Sequence, residues 1–92
     1  MKTTADQLAK RFRVSRARSL EAVMKADLID AVLRVSAKDG LTHARIAAAS
    51  GLSRSAVTGI LSGSIQKVTL DRLLKLVEAV GLTARVHVKR AA

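Results

Sequence analysis

The chain of 92 residues is long enough for one small domain and too short for two, and at this size only about 60% of the unfolded surface is buried on folding. It contains no cysteine, which excludes a disulfide framework and a thiolate zinc site and leaves oligomerisation as the usual support for a marginal core. Seventeen Lys and Arg against seven Asp and Glu give a net charge of +10, a balance that attracts polyanions and points to nucleic acid or an anionic membrane.

Residues 1–18 come first and carry six positive side chains and one negative. Thr4 followed three residues later by Gln7 has the form of a capping box, so a short helix is expected from there to about Phe12. Lys10, Arg11, Arg13, Arg16 and Arg18 make the remainder a basic arm. Three uses stand open for it: an arm for the minor groove, a solvated tail, or a segment that binds a partner protein. Residues 8–16 also echo residues 46–54, which raises the idea of a second copy of the motif described below. Against it, Arg13 stands where that motif has Gly51, and Ser19 where it has Val57.

From Ser19 the apolar residues fall into helical spacing. Leu20, Val23, Met24, Leu28, Val32 and Leu33 predict the inward face of a helix over residues 20–38, with Gly40 just past its end. Thr42 is expected to cap a second helix running to Ala49, with Ile46 and Ala47 inward. Ser50, Gly51 and Leu52 form a turn. Ser53 then caps a third helix from Arg54 to about Ser62, closed by Gly63. After a loop over residues 64–68, Thr69 caps a fourth helix carrying Leu70, Leu73, Leu74, Leu76, Val77 and Val80, and Gly81 ends it. Residues 83–89, Thr-Ala-Arg-Val-His-Val-Lys, alternate with period two, which is a strand pattern. A lone strand leaves backbone donors and acceptors unpaired. The same strand of a second copy across a two-fold axis is the simplest partner; the other reading is a basic end without structure. The fold class expected is all-α, with four to five helices around a central helix-turn-helix. One C-terminal β-strand, with Ala84, Val86 and Val88 as its dimerisation residues, pairs across a homodimer.

The charge pattern and the aromatic content sharpen the choice of polyanion. Phe12 is the only aromatic residue. Readers of single strands and of RNA stack bases on aromatic platforms, which this chain lacks. Duplex DNA, held by its phosphates and read in the groove, needs none. Residues 41–68 carry Arg45, Arg54 and Lys67 and not one carboxylate. No apolar run approaches the roughly 18 residues of a membrane span, and no signal-peptide core follows Met1. The protein is therefore expected in the cytoplasm, on the nucleoid, with no membrane partner.

Each position of residues 41–63 has a mechanical reason. Ala47 is small where two helices cross at close range, and Gly51 permits the left-handed backbone of the turn. Leu52 fills the wedge between the helices, while Ile46, Val57 and Leu61 pin them to the core. Arg54, Ser55 and Thr58 remain on the outer side of the second helix. A recognition helix presents its N-terminal residues to base edges, so these three are expected to read bases, with Arg54 suited to a guanine. Thr42, His43, Arg45, Ser53, Ser62 and Lys67 are expected to hold phosphates, which position the protein without specifying sequence. The organisation is then a basic N-terminal arm over residues 1–18 and a helix-turn-helix DNA-binding domain over residues 19–92, ending in the dimerisation strand.

The blocks GLTHARIAAASGLSRSAVTGILSG and VTLDRLLKLVEAVGLTARVHVKR resemble, in this order, the Xre (Cro/lambda-repressor-like) helix-turn-helix family over residues 40–90. Within it they are most similar to the subgroup that includes small antitoxins of toxin–antitoxin operons. That resemblance implies a dimeric repressor of a palindromic operator, often its own. It also implies, as an alternative, an antitoxin whose main role is to bind and neutralise a toxin protein. Two positions depart from the family pattern: the family often has a phosphate-contacting Gln where His43 stands, and a polar residue near Gly59. A third possibility is a nonspecific coater of DNA, held by charge alone.

Nothing in the sequence predicts catalysis. His43 and His87 have no acidic residue at ligand spacing, so no metal site and no cofactor are expected. The serines stand at caps and turns, where capping accounts for them.

Overall fold

The computed structural model describes residues 16–64 and 67–90. Four helices are present among them: α1 (Arg16–Asp39), α2 (His43–Ser50), α3 (Arg54–Leu61) and α4 (Leu70–Ala79). The short helix expected over residues 4–12, and the basic arm up to residue 15, lie outside the described residues.

Three helices begin as local chemistry dictates. The Thr42 hydroxyl oxygen accepts the Arg45 N–H at 3.1 Å, that of Ser53 accepts the Ala56 N–H at 3.0 Å, and that of Thr69 accepts the Arg72 N–H at 3.3 Å. Each bond satisfies one of the donors a helix start leaves unpaired and stabilises it by roughly 1 kcal/mol. Helix α1 already includes Arg16, the first described residue, ahead of the Leu20 at which the apolar periodicity begins. Arg16, Ala17 and Arg18 are all good helix formers, and they continue the helix where no apolar stripe marks it.

The inward face of α1 matches the expected one in part: Val32 is buried and Val23 and Leu28 are half-buried as expected, but Leu20, Met24 and Leu33 are not, and Ile29 joins the core instead. Leu20, Met24 and Leu33 are 44%, 47% and 42% exposed, whereas Ile29 is 7% and Val32 1%. The helix carries one apolar stripe and beside it a mixed one, in which Ile29 and Val32 stand between Lys25 and Ser36. The first runs through positions 20, 24, 28, 31 and 35, the second through 25, 29, 32 and 36, and both satisfy helical spacing. The core takes Ile29 and Val32 from the second stripe, with Leu28 and Val35 of the first packed at its edge. Lys25 belongs to the buried stripe and is 7% exposed. Its stem lies in the protein while Nζ reaches the exposed Glu21 carboxylate at 3.1 Å, the usual way for a lysine to keep its charge near water.

Ile46 from α2, Val57 and Ile60 from α3, and Leu73, Leu76 and Val77 from α4 complete the core with Val68 and Val80. Helix α2 packs on both α3 and α4, and α1 lies chiefly on α4 with a lighter contact to α3. Val57 and Leu76 are fully buried, and each such side chain stabilises the fold by about 1.5–3 kcal/mol relative to exposure.

The expected C-terminal strand is absent. Residues 82–90 have no regular secondary structure, and no strand occurs among the described residues. A strand exists through the ladder that pairs it, and nothing among the described elements offers an edge. Val86 and Val88 consequently stand 74% and 83% exposed, and Ala84 is exposed beside them. No helix of the described residues is long and apolar enough to cross a membrane.

Candidate nucleic-acid interface

Helices α2 and α3 meet across a turn built from three side-chain and backbone features. Gly51 adopts φ +77°, the left-handed region, and its N–H donates to the Ala47 carbonyl. The Ser50 hydroxyl donates to the same carbonyl at 3.3 Å and accepts the Leu52 N–H at 3.3 Å. With the turn fixed and Val57 and Ile60 buried, the orientation of α3 about its own axis is fixed too. At 100° per residue, positions 55, 58 and 62 turn away from Val57 and Ile60, and position 54 flanks them. Arg54, Ser55, Thr58 and Ser62 are all exposed.

The three residues expected to read bases are thus brought onto one face. Gly59 stands at its edge, half-buried, with nothing within 4 Å of where a Cβ would be. The residues expected to hold phosphates are arranged less evenly. Thr42 and Ser53 each use a lone pair to cap a helix, which leaves the hydroxyl proton of each available to a phosphate oxygen. Beside Ser53, the first amides of α3 have no intrahelical partner and carry the positive end of its dipole. Arg45 is exposed on α2, and Lys67 is exposed in the loop between α3 and α4. The Ser62 hydroxyl donates to the Thr58 carbonyl at 2.6 Å, so it meets a phosphate only by giving up that bond. Ala84, Val86 and Val88 lie beyond α4, and Ala84 helps line an open groove with Leu74, Val77 and Leu82.

Helix α2 and helix α3 are joined by a contact that sequence spacing does not reveal. His43 Nδ1 lies 2.9 Å from Thr58 Oγ1. His43 is half-buried at the start of α2 and Thr58 is exposed in the middle of α3. The sequence points to separate tasks for the two, a phosphate for His43 and a base for Thr58, yet they are hydrogen-bonded partners. Only the crossing of α2 over α3 brings together residues fifteen positions apart.

The electrostatics favour an anion. The ion pairs Lys25–Glu21, Arg34–Asp30 and Lys75–Asp71 all join residues four apart on α1 or α4. Among the described residues, Arg45, Arg54 and Lys67 enter no ion pair, and no carboxylate occurs between residues 41 and 68. Cations left without counter-charges on an exposed face attract phosphates strongly at low salt.

Residues 6–89 match the family model of a helix-turn-helix domain. No curated protein and no solved structure matches the chain.

Proposed function

Because the chain belongs to the helix-turn-helix domain family, whose model spans residues 6–89, we propose that it is a sequence-specific, double-stranded DNA-binding transcriptional regulator. The observation that carries this reading is the outer face of α3. Arg54, Ser55 and Thr58 stand exposed together on a helix whose turn and core contacts fix its orientation, within a segment free of acidic residues. In this reading α3 enters the major groove, where Arg54 bonds a guanine and Ser55 and Thr58 meet neighbouring base edges. Thr42, His43, Arg45, Ser53 and Lys67 hold the phosphates on either side, and Ser62 joins them when its bond to Thr58 opens.

The regulator acts as a homodimer and repressor on a palindromic operator, as its resemblance to the Xre family implies. Val86 and Val88 supply a motive for the second copy, since two exposed valines at period-two spacing have no strand to pair with among the described residues. Pairing of residues 83–89 between copies would satisfy their backbone groups, and half-sites about 34 Å apart would then each receive one α3. Sedimentation at micromolar concentration checks this. The native chain is expected to be dimeric and the Val86→Asp/Val88→Asp variant monomeric.

The test of function is binding to the duplex upstream of its own gene against a scrambled duplex of equal length. Selectivity of at least about 10³-fold is expected. Arg54→Ala should cost about 1–3 kcal/mol and relax preference at one base position. Equal, salt-sensitive binding to both duplexes overturns the reading in favour of a nonspecific coater.

A second reading, the antitoxin that neutralises a toxin protein, draws support from α1. Leu20 and Met24 stand nearly half exposed, one turn apart on the same side, an apolar pair of the kind a protein partner covers. Co-purification with the product of an adjacent small gene is the result that favours it.

A further inference from the structure

The hydrogen bond between His43 Nδ1 and Thr58 Oγ1, at 2.9 Å, joins the side chains of two helices. It constrains a residue that faces outward. A threonine in a helix commonly turns its hydroxyl back to the carbonyl one turn earlier; here the hydroxyl is engaged by the ring of the neighbouring helix instead.

A neutral imidazole has one nitrogen that donates and one that accepts. Two arrangements of the pair follow. In one, Thr58 O–H donates to Nδ1; Nε2 then carries the ring proton, and Thr58 offers only lone pairs to anything else. In the other, Nδ1–H donates to Thr58; Nε2 then presents a lone pair, and the Thr58 proton is free. A phosphate oxygen is an acceptor and repels a lone pair, so a phosphate at Nε2 selects the first arrangement.

The geometry points to His43 as a positioning residue that sets base specificity. With its Nε2–H on a phosphate, it holds Thr58 as a pure acceptor, so that Thr58 prefers a base edge that donates, the exocyclic amino group of adenine or cytosine, over the keto edge of guanine or thymine. This rests on the DNA-reading role of α3 proposed above. His43 touches no base in this scheme. It acts on sequence through the hydroxyl it orients, while its own outward contact carries no sequence information.

The test is selection from a duplex library randomised across one half-site. The native chain is compared with His43→Ala, His43→Gln and Thr58→Val, each first shown by circular dichroism to melt as a folded protein. Thr58→Val marks the base step that Thr58 reads, as the step where preference disappears. At that step the native chain is expected to prefer adenine or cytosine by about tenfold, the lower end of the usual range for a good base contact. His43→Ala should remove most of this preference while leaving the step read by Arg54 unchanged. His43→Gln, whose amide oxygen can accept from Thr58 while its NH2 faces the phosphate, should restore it in part.

A uniform loss of affinity in His43→Ala, with the preference at that step intact, overturns the proposal and leaves His43 a phosphate contact only. A native preference for guanine or thymine at the step overturns it as well, since the hydroxyl would then be donating. Absence of any sequence preference in the native chain is a different failure, that of DNA reading by α3 itself.

Discussion

Gly51 and Gly59 allow one substitution to be tried in two settings that differ mainly in backbone conformation. Neither has any atom within 4 Å of where a Cβ would stand, so an added methyl meets no clash at either site. Gly51 holds φ at +77°, where an alanine costs roughly 1–2 kcal/mol. Gly59 lies within α3 in the helical region, where alanine is favoured over glycine by about 0.5–1 kcal/mol because it loses less backbone freedom on folding. Gly51→Ala is therefore expected to destabilise and Gly59→Ala to stabilise, and the two should differ by about 2 kcal/mol. For a domain of this size each kcal/mol moves the melting temperature by about 4–8 °C. With neither Trp nor Tyr in the chain, intrinsic fluorescence gives no usable signal. Far-ultraviolet circular dichroism in urea and on heating, at one protein concentration, is the appropriate assay. The urea midpoints should move in opposite directions at constant slope. A neutral or stabilising Gly51→Ala would sink the assignment of a left-handed turn there. A destabilising Gly59→Ala would show that the interior of α3 is not the unstrained helix its surroundings allow.

Two further outcomes follow from the core and from the charges. Leu76→Ala removes a fully buried side chain and should cost about 2–5 kcal/mol, a large part of the 5–15 kcal/mol typical of a domain. The same change at Leu74, which is 43% exposed, should cost far less, and equal losses at the two sites in urea melts would contradict the placement of α4. For the unpaired cations, Arg45→Ala and Lys67→Ala should each lower the slope of log affinity against log salt by about 0.9 if the residue meets a phosphate. A slope unchanged in titrations from low to moderate salt would remove that residue from the interface.

The parts of the fold legible in the sequence are those decided within a few residues of chain. Thr42, Ser53 and Thr69 cap helices because a hydroxyl reaches an amide three residues on, and Gly51 turns because its own backbone can. The outward set on α3 was legible for a similar reason, since Val57 fixes the inner side, although Ile60 rather than the expected Leu61 is the buried residue beside it. The face of α1 was not. Val32 was expected inward and is buried, but Ile29 was missed and Leu20 with Met24 wrongly included, because the contact with α4, some forty residues away in the chain, turns a stripe that also holds Lys25 toward the core. The C-terminal alternation was a true pattern read as an element, yet a strand needs a neighbour as well as a pattern. The pairing of His43 with Thr58 was illegible for want of a three-dimensional crossing angle; the nearest clue was that a tight turn after α2 must bring its first residues over the middle of α3.

Helix α3 separates two kinds of selection. Of its eight residues, Val57 and Ile60 are buried and answer to the core, whereas Arg54, Ser55 and Thr58 are exposed and answer to whatever the helix touches. Exchanges at exposed helical positions usually change stability by no more than about 0.5 kcal/mol. The proposed recognition surface can therefore drift, or be redesigned for a new sequence, while the scaffold keeps its melting temperature. Thr58 is the position where that freedom ends, because its replacement is felt on the neighbouring helix at His43. A retargeted variant has to change these two as a pair.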